Sequence, residues 1–405
     1  MRIIHTADWH LCDRLGRVDR THDLRQRVQQ VAGLCETHRV DVLLIAGDLF
    51  SEHASLDETT EALAHLHQMF APFFDRGGTV IAVTGNHDRE ARVELVRQGM
   101  RLATPDAGRR FRPGRMYLLN QPFVGTLETA AGEKGQFVLV PYPTTVRYGL
   151  PTNGFLTKDQ ENRALHGRVV EWLSEAKGKL DPKVPTVFVG HLHVAGAGLT
   201  HTLYRITEQD DVVFDTGFRP NWVQFVALGH VHKQQALSGL RDVWYAGSLD
   251  RLHFDERDDE KGVVLVELGP GGLVRDPEPI ALPATPMHKV LISDPAAELP
   301  GLPSRLPDPE AALVHVTVSH LPGGPTREEI IRAIRAAFPR HADIVWTKPE
   351  GAAGGGRGLG IKPAADYRAT VREFLARSDV LPDTDTDKKA LLDLVETFFL
   401  TEARP

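Results

Sequence analysis

Short apolar runs that each end in a polar cluster recur between residues 2 and 232, and this repetition limits the folds open to the chain. Arg2 to Thr6 leads into Asp8-Trp9-His10, Val42 to Ala46 into Gly47-Asp48, and Thr79 to Thr84 into Gly85-Asn86-His87-Asp88. Thr186 to Val189 leads into Gly190-His191, and Phe225 to Leu228 into Gly229-His230-Val231-His232. Each run has the length and β-rich content of a buried strand. In α/β sheets ligands bind outside the carboxyl ends of the strands, so polar residues recurring at that place converge in space. Asp8 and His10, two apart on an extended segment, point the same way and can close on one cation.

The segments between the clusters read as helices. Leu24, Val28, Val31, Leu34 and Cys35 keep a helical spacing that predicts a helix over 20–38. Ser55 and Glu58 have the form of a capping box, and Leu63, Leu66, Met69, Phe70 and Phe73 carry that helix to Gly77-Gly78. Helices are also expected over 91–102 and 158–177, antiparallel strands within 116–141, and strands again near 185, 224, 243 and 262. This is βαβ grammar.

Pro270 to Pro286 reads as a linker, which ends the first domain, 1–270. Residues 271–350 then form a small α+β unit, with strands at 289–292, 313–318 and 342–346 and a helix over 326–338. Residues 351–363 are a glycine-rich tether, and 364–405 a helical hairpin lined by Tyr367, Val371 and Phe374 on one helix and Leu391, Val395 and Phe398 on the other. Behind such a tether the hairpin either docks on a partner or folds back on this chain.

At 405 residues, 41% hydrophobic and 25% charged, the chain has an ordinary globular composition. Met1-Arg2 leads straight into a strand, no apolar stretch approaches the roughly 20 residues of a membrane span, and two cysteines cannot build a disulfide framework. A cytoplasmic protein away from membranes is expected. The net charge of −7 does not announce a nucleic-acid binder, but a local strip can act within an acidic protein. Arg14, Arg17, Arg20, Arg25 and Arg27 supply one, unless they are only a solvated helix face.

Asp, Asn and His offer hard oxygen and borderline nitrogen ligands, which without thiolate suit Mn²⁺, Fe²⁺ or Zn²⁺. Asp8, His10, Asp48, Asn86, His191, His230 and His232 are too many for one ion and fit two, with Asp48 as the natural bridge. Two cations about 3.5 to 4 Å apart clamp phosphoryl oxygens and bring the pKa of water from about 15.7 toward roughly 7 to 9. His87 could then stabilise the phosphate and protonate the departing oxygen, with Asp88 orienting its ring. His53, in the loop after Asp48, is a candidate second acid. His5 reads as a core residue, His193 as a neighbour of the ligands, and Cys12 as a filler thiol.

These blocks, in this order, resemble the signature of the calcineurin-like metallophosphoesterases. Within that superfamily His5-Thr6-Ala7-Asp8-Trp9-His10-Leu11, Ala46-Gly47-Asp48-Leu49-Phe50 and Ala227-Leu228-Gly229-His230-Val231-His232 are similar to the bacterial SbcD-type nuclease subunits. Tyr245-Ala246-Gly247-Ser248 and Phe254-Asp255-Glu256 extend the likeness, while Cys12 stands where that family usually has Gly. The resemblance implies a two-sheet α/β sandwich flanked by helices, a small α+β capping domain and a carboxyl-terminal helical pair. It implies a DNA phosphodiesterase with two Mn²⁺, for which Fe²⁺, Zn²⁺ or Mg²⁺ could substitute. One ion would be held by Asp8, His10, Asp48 and His232, the other by Asp48, Asn86, His191 and His230, with His87 as the transition-state acid. Its action would be 3′ to 5′ on duplex ends and endonucleolytic on single strands or hairpins, in DNA repair and recombination. The partner implied is an SbcC-type coiled-coil ATPase that grips the carboxyl-terminal helices of a nuclease dimer, in a heterotetramer. The rivals are a phosphoesterase of the same fold acting on phosphoproteins, cyclic nucleotides or nucleotide sugars, and a DNA-end scaffold without catalysis. The Asp-Arg-Gly usual in such protein phosphatases is replaced here by Phe50-Ser51-Glu52, and their Glu after Asn-His by Asp88.

Overall fold

A computed structural model describes residues 1–103, 108–151, 155, 157–198, 212–215, 217, 219–319 and 323–347. The expected tether and hairpin, 351–405, lie outside the described residues. Strands β1 (Arg2–Thr6), β2 (Val42–Ala46), β3 (Thr79–Val83) and β4 (Met116–Leu119) lie in parallel as the body of a first sheet. A second sheet is built on β5 (Phe123–Glu128), β6 (Lys134–Val140), β7 (Thr186–His191), β8 (Phe225–Gly229) and β9 (Leu240–Tyr245). There β6, β7, β8 and β9 run parallel, and β5 is antiparallel to β6. The chain then returns to the first sheet: β10 (Lys261–Gly269) pairs antiparallel with β1, and β11 (Glu278–Leu282) with β10.

Complete burial of β2 and β3 follows from their place between two apolar layers. Leu43, Ile45, Val80 and Ala82 face outward, onto a core shared with helices α1 (Thr21–Thr37), α2 (Leu56–Asp75) and α3 (Glu90–Ala103). The alternate residues Val42, Leu44, Ala46, Ile81 and Val83 meet Phe137, Leu139, Val187, Val189 and Phe225 of the second sheet. The other face of that sheet places Val138, Phe188 and Val226 against Leu165, Val169 and Trp172 of helix α4 (Lys158–Lys177). The layers are therefore helix, sheet, sheet, helix. Ser55 forms both arms of the capping box with Glu58. No helix among the described residues is long and apolar enough to cross a membrane.

Strands β12 (Met287–Ile292), β13 (Leu313–Ser319) and β14 (His341–Thr347) form a separate parallel sheet. Helix α5 (Arg327–Ala337) packs on it through Ile330 and Ile334, with Val290, Ile292, Val314 and Val316 below.

Three expectations are corrected. Met116–Leu119 does not form an antiparallel unit with Phe123–Glu128; it extends the first sheet in parallel, and the chain crosses to the second sheet at Asn120–Pro122. Pro270 to Pro286 is not free linker, because Gly272–Leu273 and β11 both pair with β10. The arginine strip is neither a uniform solvated face nor a uniform phosphate contact. Arg20 is wholly buried, with Nε 2.7 Å from Asp23 Oδ2 and Nη2 3.3 Å from Asp250 Oδ2, and Arg27 Nε also lies 3.3 Å from Asp250. Nearer the surface Arg14 pairs with Glu58 and Arg25 with Glu61, and Arg17 Nη1 lies 2.6 Å from His341 Nε2. A helix that is polar by composition thus spends two of its arginines inside, where an acid more than 200 positions away receives them.

Candidate metal centre

All seven residues with metal-ligand chemistry come together where the carboxyl ends of the two sheets meet. The first sheet contributes the oxygens, from Asp8 after β1, Asp48 after β2 and Asn86 after β3; the second contributes imidazoles, from His191 ending β7 and from His230 and His232 after β8. His10 joins from the β1 side. One ligand atom from each of Asp8, His10 and His232 falls within 4.8 Å of the others, and the same holds for Asp8, Asp48 and His191 and for His10, Asp48 and His87. Asn86 Oδ1 lies 3.0 Å from His191 Nε2 and 3.2 Å from His230 Nδ1.

The backbone is bent to make this possible. Asp8, His10, Asp48 and His230 all have positive φ, at 51°, 44°, 50° and 94°. For residues with a side chain that conformation costs of order 1 kcal/mol or more each, and it persists where the surroundings over-determine it. Gly47 has φ 97°, and a methyl group on it would overlap the ring of His191. Cys12 has φ 68°, a conformation that glycine adopts freely, which is the physical reason for glycine at such a position.

Several donor atoms meet at separations at which they can share a cation. Asp48 Oδ2 stands 3.4 Å from both His10 Nε2 and His191 Nε2. Two atoms each about 2.1 Å from one ion stand roughly 3 to 3.4 Å apart. His10 Nε2 is buried without a hydrogen-bond partner. Orphaned nitrogen, two buried carboxylates and an all-oxygen and imidazole donor set together fit divalent metal.

The electrostatics agree. Burial drives the Asp8 carboxyl above its usual range, with Asp48 adding to it and His191, His232 and His230 opposing. Burial pushes Asp48 the same way, but His191, His10 and His87 outweigh it and hold it well below that range. Burial lowers His10 to about 3, so its ring is neutral and can ligate. For His191 burial is overcome by Asp48 and Asp8, and the ring rises to about 9.

His87 sits at the mouth, its ring 4.9 Å from that of His10 and its side chain 37% exposed, while its N–H donates to Asp48 Oδ1 at 2.8 Å. Two role assignments are corrected. The Asp88 carboxylate does not orient His87; it accepts from the N–H groups of Leu49, Phe50 and Gly85 at 3.2, 3.0 and 2.9 Å, which ties the Asp48 loop to the Asn86 loop. His53 stays outside the cluster, 75% exposed and 3.0 Å from Glu52. His5 is buried between the sheets with Nε2 3.1 Å from Leu228 O, and the His193 ring lies 6.1 Å from that of His230. Burial pushes the Cys12 thiol up to about 11, in keeping with a filler.

Sequence reading missed four neighbours. Glu256 Oε1 lies 2.9 Å from His232 Nδ1. Arg147 is buried and donates to the carbonyls of Gly85, Asp88 and Tyr142, which holds the Asn86-His87-Asp88 turn in place. Glu52 approaches His87 Nδ1 at 3.9 Å. Tyr142 packs on the rings of His191 and His230, and its place just past the end of β6 is a signal that the carboxyl-end rule could have used.

A family model described as calcineurin-like phosphoesterase matches residues 1–234. Among individual proteins, the chain is 28% identical over 377 residues to the SbcD subunit of the SbcCD nuclease of Rhodobacter capsulatus, covering 86% of this chain and 88% of that one. It is 27% identical over 314 residues to the same subunit in Escherichia coli K12, covering 73% and 71%. For Bacillus subtilis the figures are 23% over 280 residues, with 67% of each chain covered.

Proposed function

The chain belongs to the calcineurin-like phosphoesterase family, and from that premise we propose that it is a dinuclear-metal DNA phosphodiesterase, the nuclease subunit of an ATPase-coupled complex. The observation that carries this reading is the meeting of oxygen donors from one sheet with imidazoles from the other, around an orphaned His10 nitrogen. Similarity to SbcD subunits of SbcCD nucleases, over two thirds or more of each, supports DNA as the substrate.

In this reading Asp8, His10, Asp48 and His232 hold one ion, and Asp48, Asn86, His191 and His230 the other; Mn²⁺ is the ion we assign. When bound, the ions supply positive charge to the phosphoryl oxygens and make water a nucleophile at neutral pH. Asp48 is fixed by the His87 N–H and has an oxygen facing both histidines, as a bridge requires. Asp88 and Arg147 hold the two loops that carry Asp48 and Asn86. His87 touches substrate from the open side and delivers a proton to the leaving oxygen as the P–O bond breaks. The action proposed is 3′ to 5′ on duplex ends and endonucleolytic on hairpins and single strands, gated by ATP through an SbcC-type partner bound to residues 364–405.

A homodimer is part of the same proposal. Leu56 of α2 and Leu95 of α3 are 60% and 57% exposed, beside a shallow groove lined by Leu63, Val96 and Met100. Leu95→Asp is expected to shift the protein to monomer in light scattering; an unchanged mass would move the interface elsewhere.

The full chain with Mn²⁺, offered labelled duplex DNA, a phosphoprotein and a chromogenic diester, tests the substrate class. Cleavage of DNA is expected. Turnover of the phosphoprotein alone would favour a phosphatase, and no turnover with two ions bound would favour a DNA-end scaffold.

A further inference from the structure

At His191 and His232 the second ring nitrogen is engaged in different ways. His191 Nδ1 meets a neutral main-chain oxygen, Ala46 O, at 2.8 Å, whereas His232 Nδ1 meets the carboxylate of Glu256 at 2.9 Å. Glu256 is wholly buried in the turn Phe254–Glu256. Its other oxygen accepts from the Lys261 ammonium at 2.7 Å and from Leu252 N–H at 3.2 Å.

Lys261 has no exposed side-chain surface, and its three protons have three acceptors: Glu256 Oε2, Ser248 Oγ at 2.8 Å and the backbone oxygen of His232 at 2.9 Å. Ser248 N–H reaches that same His232 oxygen at 3.0 Å. Ring and carbonyl of one residue are therefore both gripped by one buried ion pair. Burying such a pair is expensive, and an apolar pair of the same size would hold a loop as well. A carboxylate behind a ligating histidine does what an apolar pair cannot, since it fixes the tautomer, aims the ring and raises its basicity.

We propose that Glu256 and Lys261 are positioning residues for His232, and that they make the ion position of Asp8, His10 and His232 the tighter of the two. Glu256 holds the proton on Nδ1, so that Nε2 is the atom offered to the cation. Lys261 neutralises Glu256 and pins the His232 backbone. At the ion position of Asn86, His191 and His230, the His191 Nδ1 meets the neutral Ala46 oxygen at 2.8 Å and comes no nearer than 3.9 Å to the Asp8 carboxylate, and we assign this position the weaker affinity. This inference rests on the metal reading given above.

The test is a Mn²⁺ titration of the full chain by calorimetry, with electron paramagnetic resonance to tell a coupled ion pair from a single ion. Wild type is expected to bind two ions with unequal affinity. In Glu256→Gln the tighter affinity should fall by about 10- to 100-fold and the other stay put, because the amide keeps the hydrogen-bonding shape and loses the charge. Unchanged affinities, or equal loss at both positions, would overturn the inference and leave the metal reading intact. A wild type that binds no Mn²⁺ would overturn both. If Glu256→Gln unfolds beside the buried lysine, Glu256→Gln with Lys261→Met removes the pair together and carries the same expectation. Ring ¹⁵N shifts of His232 in Zn²⁺-loaded wild type give a check that needs no variant: a proton on Nε2 would overturn the proposal.

Discussion

Charge is buried at two places in this protein, around Asp250 and around Asp48, and the two are completed differently. Asp250 receives Arg20 and Arg27, and also Thr285 through both its N–H at 2.8 Å and its hydroxyl at 2.6 Å. Arg20 in turn holds Asp23, which Arg340 reaches from the small sheet's side. Cations and anions there occur together with hydrogen-bonding geometry. At Asp48 two carboxylates are buried among imidazoles, one Asp48 oxygen stands 3.4 Å from two of them, the His10 Nε2 has no hydrogen-bond partner, and four residues carry positive φ. The first cluster is satisfied by protein groups and joins elements; the second leaves a buried nitrogen without a hydrogen-bond partner where cations are proposed. Burial of charge is therefore not the mark of a site. Convergence of buried carboxylates and imidazoles from both sheets at one point is.

The contrast can be broken, most sharply at Asp48. Asp48→Asn should cost about a thousandfold or more in turnover, since it removes the bridge for a cation pair worth several kcal/mol to the transition state. Without metal the variant should melt a little below wild type, because the attraction of His191 and His10 for the Asp48 carboxylate outweighs its repulsion of Asp8. A loss as large as that expected for Asp250→Ala would make Asp48 a structural residue like Asp250. His87→Ala should lose roughly 10²- to 10⁴-fold in turnover and keep both ions by elemental analysis, as fits a proton donor that is not a ligand. Metal loss would put His87 in the wrong role.

Asp250→Ala should do the reverse, lowering stability by about 3 to 5 kcal/mol in denaturant titration by stranding two buried arginines, with metal content per folded molecule unchanged. A loss under about 1 kcal/mol would leave the Asp250 network without the role given to it. The smallest effect expected at any single position is that of one bound metal ion. Mn²⁺ at a hundred times its dissociation constant should stabilise wild type by about 2.7 kcal/mol per independent site, and Asp48→Asn by much less. Equal stabilisation of both would move the ions away from Asp48.

Much of the centre is legible in the chain because strand and ligand are neighbours in sequence. An apolar run of five or six residues declares a strand, the Gly or small residue after it declares the turn, and the Asp, Asn or His that comes next has only the carboxyl edge to occupy. That is why Asp8, His10, Asp48, Asn86, His191, His230 and His232 are found without coordinates. The roles of Asp88, His53 and Glu256 are not legible in this way. Asp88 adjoins His87 in sequence, yet its carboxylate turns to three backbone N–H groups, two of them 38 and 39 positions away. Glu256 belongs to a stretch that extends the family likeness without declaring a role, and only the fold buries it against His232 and Lys261.

The sequence by itself determined the alternation of strands and helices, and with it which side chains lie at strand ends, because both arise from hydrophobic period and turn chemistry that act over a few residues. Tertiary structure alone decided that β4 joins one sheet and β5 the other, that β10 returns to pair with β1, and that Arg20 and Arg27 turn inward to Asp250 while Arg14 and Arg25 stay out. Those outcomes depend on desolvation and on partners distant in sequence, more than 200 residues away for β10 with β1 and for Asp250 with Arg20 and Arg27, and no local pattern carries that information.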